Sequence, residues 1–211
     1  MRVTKPRVKL ILDVDPIKNL KKIERCGRLC YKSGDKITSD SYIDFIKNII
    51  KRGHLSVIEH SSVTALVICD RGVSHEIVRH RIGSYSQEST RYCKYNKEDI
   101  EVIQPPIKDK VALAQWEAAM IHAEQTYAKL ILAKEPPEIA RSVLPNALKT
   151  EIAITYNFRE WLHFLEIRGS KRAHPQIREI AILLLEELKK YFSIIFNHLV
   201  VEEGLIVRRI Q

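Results

Sequence analysis

The chain has 211 residues, 45% hydrophobic and 29% charged, the balance of a globular protein able to bury one sizeable core. Its 35 lysines and arginines against 26 acids leave a formal net charge of +9, spread along the chain, which favours anionic ligands such as nucleotides, folates or nucleic acid. No apolar run has membrane-spanning length, no signal peptide is read, and Cys26, Cys30, Cys69 and Cys93 lack the paired spacing of a zinc site or disulfide framework, so a reduced, cytoplasmic protein without a membrane or metal partner is expected.

Val8–Val14 is rich in branched apolar residues and predicts a strand ended by Asp15-Pro16. A helix is expected from Pro16 to about Cys30, because proline suits the first helical position and Leu20, Ile23, Gly27 and Cys30 recur at helical steps. Lys32–Ile37 reads as a turn. Ser39 or Asp40 can cap a second helix whose stripe is Tyr42, Phe45, Ile46, Ile49 and Ile50, with Gly53 as its stop. The polar segment GHLSVIEHSS, residues 53–62, precedes an apolar strand from Val63 to Cys69. His54, Glu59 and His60 invite a metal reading, but the spacing of the two histidines sets no shared face, and a structural or ligand-contacting loop is favoured.

Asp70–Arg81 predicts a short helix on which Glu76, Arg79 and His80 share a face. It leads into RHRIGSYSQESTR, residues 79–91, which holds three arginines, a histidine, four serines and threonines, a glutamine and a glutamate. Guanidinium groups beside hydroxyls suit phosphate and nucleobase edges better than a core. A loop around Gly83 and strands at Thr90–Tyr95 and Glu101–Gln104 are expected, the last stopped by Pro105-Pro106. Asp109–Ala133 predicts a long helix, Pro137–Leu144 a short one and Leu148–Tyr156 a strand, while Arg141 taken alone reads as a surface charge. Asn157 is a good cap for a helix ending at Gly169. Arg159 and His163 share one face of it, and Arg168 lies about half a turn away, which points to different parts of a site or to sites shared between subunits. Ala173–Val201 predicts a second long helix, so apolar that helices from several copies of the chain are expected to cover it.

Arg79-His80-Arg81, seven residues and then Ser89, extended by Arg91-Tyr92, resembles the signature of the flavin-dependent thymidylate synthases. Related segments follow in that family's order: GHLSVIEH at 53–60, ARSVLP at 140–145, NFREWLHFLEIR at 157–168 and AHPQIREIA at 173–181, so the likeness covers about Cys26 to Ala181. It implies a single-domain α/β fold of the α+β type, with a mainly antiparallel sheet and long helices, assembled as a homotetramer. It also implies a methyltransferase that makes dTMP from dUMP, with methylenetetrahydrofolate as carbon donor, tightly bound FAD as redox carrier and NADPH as reductant, and with no nucleic-acid partner.

Carried over by position, Arg79, His80 and Arg81 are expected at the FAD, together with Ser56, Gln87, Asn157, Arg159 and His163, and His54 near flavin and folate. Glu76, Arg79, Gln87, Glu88, Ser89, Thr90, Arg91, Arg141 and Arg168 are expected around dUMP. Arg168 matches the catalytic arginine that stabilises the uracil anion at ring nitrogen 3. Ser89 reads as a substrate contact, since no His-Asp partner is evident and an unassisted hydroxyl is a poor nucleophile. Cys30 stands where the family often has serine, and Glu76 where it also has glutamine. Two other classes explain part of the chain. An RNA- or nucleotide-binding module would use the net charge but lacks an aromatic stacking platform, and a phosphatase with His80 as nucleophile would use Arg-His-Arg alone. A Rossmann domain is not expected, because no G-x-G-x-x-G occurs.

Overall fold

The computed structural model describes residues 1–13, 15–95 and 100–209. In chain order the elements are β1 (Arg2–Thr4), β2 (Arg7–Ile11), α1 (Pro16–Leu29), α2 (Tyr42–Lys51), β3 (Ser62–Asp70), α3 (Arg71–Ile77), β4 (Ser84–Gln87), β5 (Glu101–Ile103), α4 (Lys110–Leu132), α5 (Pro137–Ala140), β6 (Lys149–Asn157), α6 (Phe158–Arg168), α7 (Pro175–Phe196), β7 (Leu199–Glu202) and β8 (Leu205–Arg208). Short 3-10 turns occur at Gly34–Lys36, Leu55–His60 and Arg141–Val143. One sheet has the order β2–β3–β6–β4, β1 pairs with β5 in parallel, and β7 and β8 form an antiparallel hairpin. The mixed α/β class is the expected one.

The chain divides into two compact units, each made of stretches separate in sequence. The first takes Met1–Arg7, Val67–Arg79 and Ser86–Ile152. Its core joins Ile100, Tyr127, Ala140 and Leu148, with Tyr95, Leu130 and Val143 against them. Asp109 starts α4 by accepting the Ala112 N–H at 2.7 Å, which satisfies one of the donors a helix N-terminus leaves unpaired. Asp70 does the same for α3, accepting the Val73 N–H at 2.8 Å.

The second unit takes Val8–Leu66, His80–Tyr85 and Ala153–Gln211. Its centre is α7, which packs on α6, α2 and the β7–β8 hairpin and buries Ile177, Ile180, Leu184, Leu188, Phe192 and Phe196. Phe158 meets Phe192 with ring centres 4.7 Å apart, and Tyr156 meets Trp161 at 4.6 Å. Rings buried this fully each contribute on the order of 2–3 kcal/mol of hydrophobic stabilisation. The indole N–H of Trp161 donates to the Val63 carbonyl at 3.1 Å, so α6 is tied to β3 as well as packed on α7.

Several expectations need correction. Most of the apolar surface of α7 is covered within its own chain, with Ile182, Leu183 and Ile194 half-buried and Tyr191 43% exposed, so less of it than expected is left for a neighbouring copy. That helix ends at Phe196 instead of Val201, and a hairpin follows. The expected strand at Thr90–Tyr95 is a turn, because the Ser89 carbonyl accepts from both Tyr92 N–H (3.2 Å) and Cys93 N–H (2.9 Å). The strand lies earlier, at Ser84–Gln87. The residue at the N-cap of α2 is Ser41, not Ser39 or Asp40; its hydroxyl reaches the buried Glu24 carboxylate at 2.9 Å. The first expected strand ends at Ile11, and its expected end at Val14 lies outside the described residues. All four cysteines are free thiols; burial, with Asp70 beside it, pushes the Cys69 pKa up to about 12, so it is an inert core residue.

Candidate active site

The expected site residues fall into two groups, one in each unit. In the first unit, α3 ends at Ile77, so Glu76 is helical whereas Arg79 lies beyond the helix, exposed; the shared helical face expected for Glu76, Arg79 and His80 does not form. Gln87 at the end of β4 is anchored, its amide donating to Ser74 Oγ (2.9 Å) and Thr150 Oγ1 (3.1 Å). Glu88 is held from three sides: its N–H donates to the Glu151 carbonyl at 2.9 Å, and its carboxylate takes the Tyr95 hydroxyl and lies 3.6 Å from Lys149 Nζ. These contacts fix the turn that follows. Arg141 reaches Thr90 Oγ1 at 3.4 Å, Arg71 reaches the Glu88 carbonyl at 3.3 Å, and Arg91 pairs with Glu138 at 3.2 Å. Ser89 Oγ accepts the Arg91 N–H at 3.3 Å, and no histidine is among its hydrogen-bond partners in the described residues. The group is a turn with peptide N–H groups and three guanidinium groups around it, a donor set that suits a phosphate. Arg71 and Tyr95 were not expected there from sequence; Arg71 is one residue past the α3 cap and carried no motif.

In the second unit the centre is His80, only 8% exposed. Its Nδ1 lies 3.0 Å from Glu160 Oε1, and Arg168 Nε donates to its Nε2 at 3.0 Å. Arginine has no acceptor, so Nε2 carries no proton and the ring is the tautomer that donates from Nδ1 to Glu160. Burial lowers the His80 pKa below its ordinary 6.5, against the raising effect of the Glu160 hydrogen bond and with help from the Arg168 charge; the neutral ring agrees with its acceptor role. Phe164 and His163 close over it, with ring centres 4.9 and 5.7 Å away. The Tyr85 hydroxyl donates to the His80 carbonyl and sits 2.6 Å from the Tyr156 hydroxyl. Burial above all, then the bond to Tyr85, holds the Tyr156 phenol far above its ordinary range, so it stays neutral.

α6 makes this cluster possible. Asn157 caps it by accepting the Glu160 N–H at 2.9 Å, and Glu160 then sits one turn before His163 and two turns before Arg168. Asn157 thus has a structural role besides the expected ligand contact. Arg159 is exposed and pairs with Glu59. Ser56 and His54 are exposed near the 3-10 turn, and His54 borders a cavity of about 550 Å³ with Arg28, Tyr31, Asn48 and Arg52. A second cavity of about 250 Å³, lined by Lys51, Leu55, His198 and Arg208, contains none of the expected residues.

The donors suit an anionic group better than a metal. Arg79 and Arg81 are exposed, and among the described residues neither guanidinium forms an ion pair, which leaves both cations open to an anionic group such as a cofactor diphosphate. Ligand atoms of His80, Glu160 and His163 lie within 4.8 Å of one another, but both nitrogens of His80 are committed and Arg168 adds a cation to the cluster. No helix among the described residues is long and apolar enough to cross a membrane.

The profile of the family described as thymidylate synthase complementing protein matches residues 14–192. A flavin-dependent thymidylate synthase of Mycobacterium avium is 37% identical over 194 residues, covering 82% of this chain and 77% of that protein. The protein of the same name from Thermococcus kodakarensis is 41% identical over 150 residues, covering 69% of this chain and 61% of its own length. Among solved structures, a UMP/dUMP methylase from Streptomyces cacaoi, crystallised with 5-bromo-dUMP, superposes with a TM-score of 0.79 over 93% of this chain and 96% of its own; at 19% identity the likeness is one of fold.

Proposed function

Because the chain belongs to the thymidylate synthase complementing protein family, that of the flavin-dependent thymidylate synthases, we propose that it is a methyltransferase that converts dUMP to dTMP, with methylenetetrahydrofolate as carbon donor and NADPH as reductant through bound FAD. The observation that carries this reading is the chain Glu160–His80–Arg168, which holds an arginine by its Nε on a buried histidine, together with the exposed Arg79 and Arg81 on either side of His80 in sequence, which form no ion pair among the described residues.

Arg79 and Arg81 bind the cofactor's phosphates, with Ser56, Gln87, Asn157, Arg159 and His163 completing its surroundings and His54 toward the folate. Arg141, Arg91 and the N–H groups of Ser89 and Thr90 in the turn bind the nucleotide phosphate, and Glu76 orients the nucleotide. Arg168 stabilises the negative charge that develops at uracil ring nitrogen 3; a guanidinium stays protonated, so the role is electrostatic and no proton leaves it. FAD, when bound, supplies the redox chemistry. No side chain attacks the pyrimidine, and Ser89 is a contact. The chain acts as a single domain and works as a homotetramer with shared sites, and the cytoplasm is its compartment. The phosphatase alternative is disfavoured, since His80 is buried and its Nε2 already accepts from Arg168.

The purified protein, reconstituted with FAD, should show a bound-flavin absorption spectrum. Added anaerobically to the reduced protein, dUMP with methylenetetrahydrofolate should reoxidise the flavin and yield dTMP. Protein that neither binds FAD nor forms dTMP overturns this reading.

A further inference from the structure

The central histidine of the Arg-His-Arg motif faces inward. Its ring is the middle member of a three-residue chain, and the members differ in what they can exchange. Arg168 only donates, Glu160 as a carboxylate only accepts, and His80 in its neutral form does one of each. The order of the chain is therefore fixed: Glu160 takes the Nδ1 proton, which leaves Nε2 as the acceptor for Arg168 Nε. A hydrogen bond through Nε constrains the guanidinium more than one through a terminal nitrogen, because Nε lies at the inner end of the planar fork. The terminal nitrogens are then aimed as a unit.

We propose that Glu160 and His80 are positioning residues for Arg168: Glu160 fixes the imidazole tautomer and ring angle, and His80 fixes the direction of the guanidinium used on the uracil ring. This rests on the reading of Arg168 as the residue that activates dUMP. It also gives the site a dependence on His80 protonation. A second proton on the ring turns Nε2 from acceptor into donor, and a donor facing a guanidinium expels it. The groups that face His80 are Glu160, His163 and Arg168 from α6, Tyr156 from β6 and Tyr85 from β4. Burial lowers the His80 pKa, Glu160 opposes it, and Arg168 and His163 add to the lowering, which sets the loss of Arg168 alignment below the ordinary histidine value of 6.5.

The test uses the FAD-loaded protein. In the wild type, nitrogen NMR of the His80 ring should show the Nδ1-protonated neutral tautomer at pH 7.5. Glu160→Ala should lower kcat on the order of tenfold to hundredfold, the cost of misplacing a reacting group by about 1 Å, while KM for dUMP changes less. His80→Gln, whose amide oxygen can sit near the Nε2 position and accept from Arg168, should keep more turnover than His80→Ala. In Glu160→Gln, His80 loses the carboxylate that raises its pKa, so the acid limb of the kcat profile should move to lower pH. A merely structural role for Glu160 would not move that limb. Arg168→Ala provides the control. Wild-type protein that leaves dUMP unconverted overturns the functional reading and this proposal with it. An active wild type in which Arg168→Ala collapses but Glu160→Ala keeps normal kcat overturns this proposal alone, as does a His80 ring protonated on Nε2.

Discussion

A Cβ on Gly83 would lie 2.3 Å from two ring carbons of Tyr156 and 3.0 Å from the Thr155 carbonyl. Tyr156 cannot retreat, for it is buried against Trp161 and bonded to Tyr85. Gly83→Ala is therefore expected to destabilise the protein by about 1–3 kcal/mol through overpacking, read as a lower midpoint in urea unfolding. An unchanged midpoint would show that the backbone at Gly83 yields instead. The sequence marks this position only as a loop glycine, because the ring it must clear lies over seventy residues away in the chain. The same limit applies to His80 and Glu160. Their residue types fit a polar site, yet nothing in a linear pattern says that the histidine turns inward to a carboxylate, and only the register of α6 brings them together.

Elements were legible where a local rule decides them. The caps of α3, α4 and α6 are at Asp70, Asp109 and Asn157, where a side-chain oxygen and a following helical pattern coincide. Asn157→Ala is expected to cost about 1 kcal/mol, whereas Asn157→Asp should keep the cap. The comparison belongs on flavin-free protein, so that a lost ligand contact does not enter the unfolding midpoint; equal midpoints for the two variants would deny the cap its weight. Elements decided by side chains without hydropathy were not legible. β4 alternates Tyr85 and Gln87 inward with serines outward, a period of two that carries no apolar signal. The end of α7 has the opposite fault: Leu199, Val200 and Val201 prolong its apolar run, and Asn197 is its sole mark of a stop. The usable signal was Glu203-Gly204, whose positive φ angles of 50° and 73° make the tight turn of the β7–β8 hairpin.

At the scale of the molecule, the expectation of several copies shifts from α7 to α4. α4 turns Tyr127 into the core of its unit, yet Val111, Ile121 and Leu132 are 70%, 44% and 82% exposed. At about 100° per residue these three fall within roughly a quarter of the helix circumference, on the side away from Tyr127. A helix with a second apolar stripe in water favours burial against another copy. If α4 serves the proposed homotetramer, light scattering after size exclusion should give about four times the 24.5 kDa of one chain. Val111→Glu combined with Ile121→Glu should shift the wild-type assembly toward smaller species while far-ultraviolet circular dichroism stays unchanged, because neither residue contributes to the core of its own unit. If the sites are shared, dTMP formation should fall with the assembled fraction and recover at higher protein concentration. A wild type that is monomeric and fully active would separate function from assembly and leave the apolar stripe of α4 without this role.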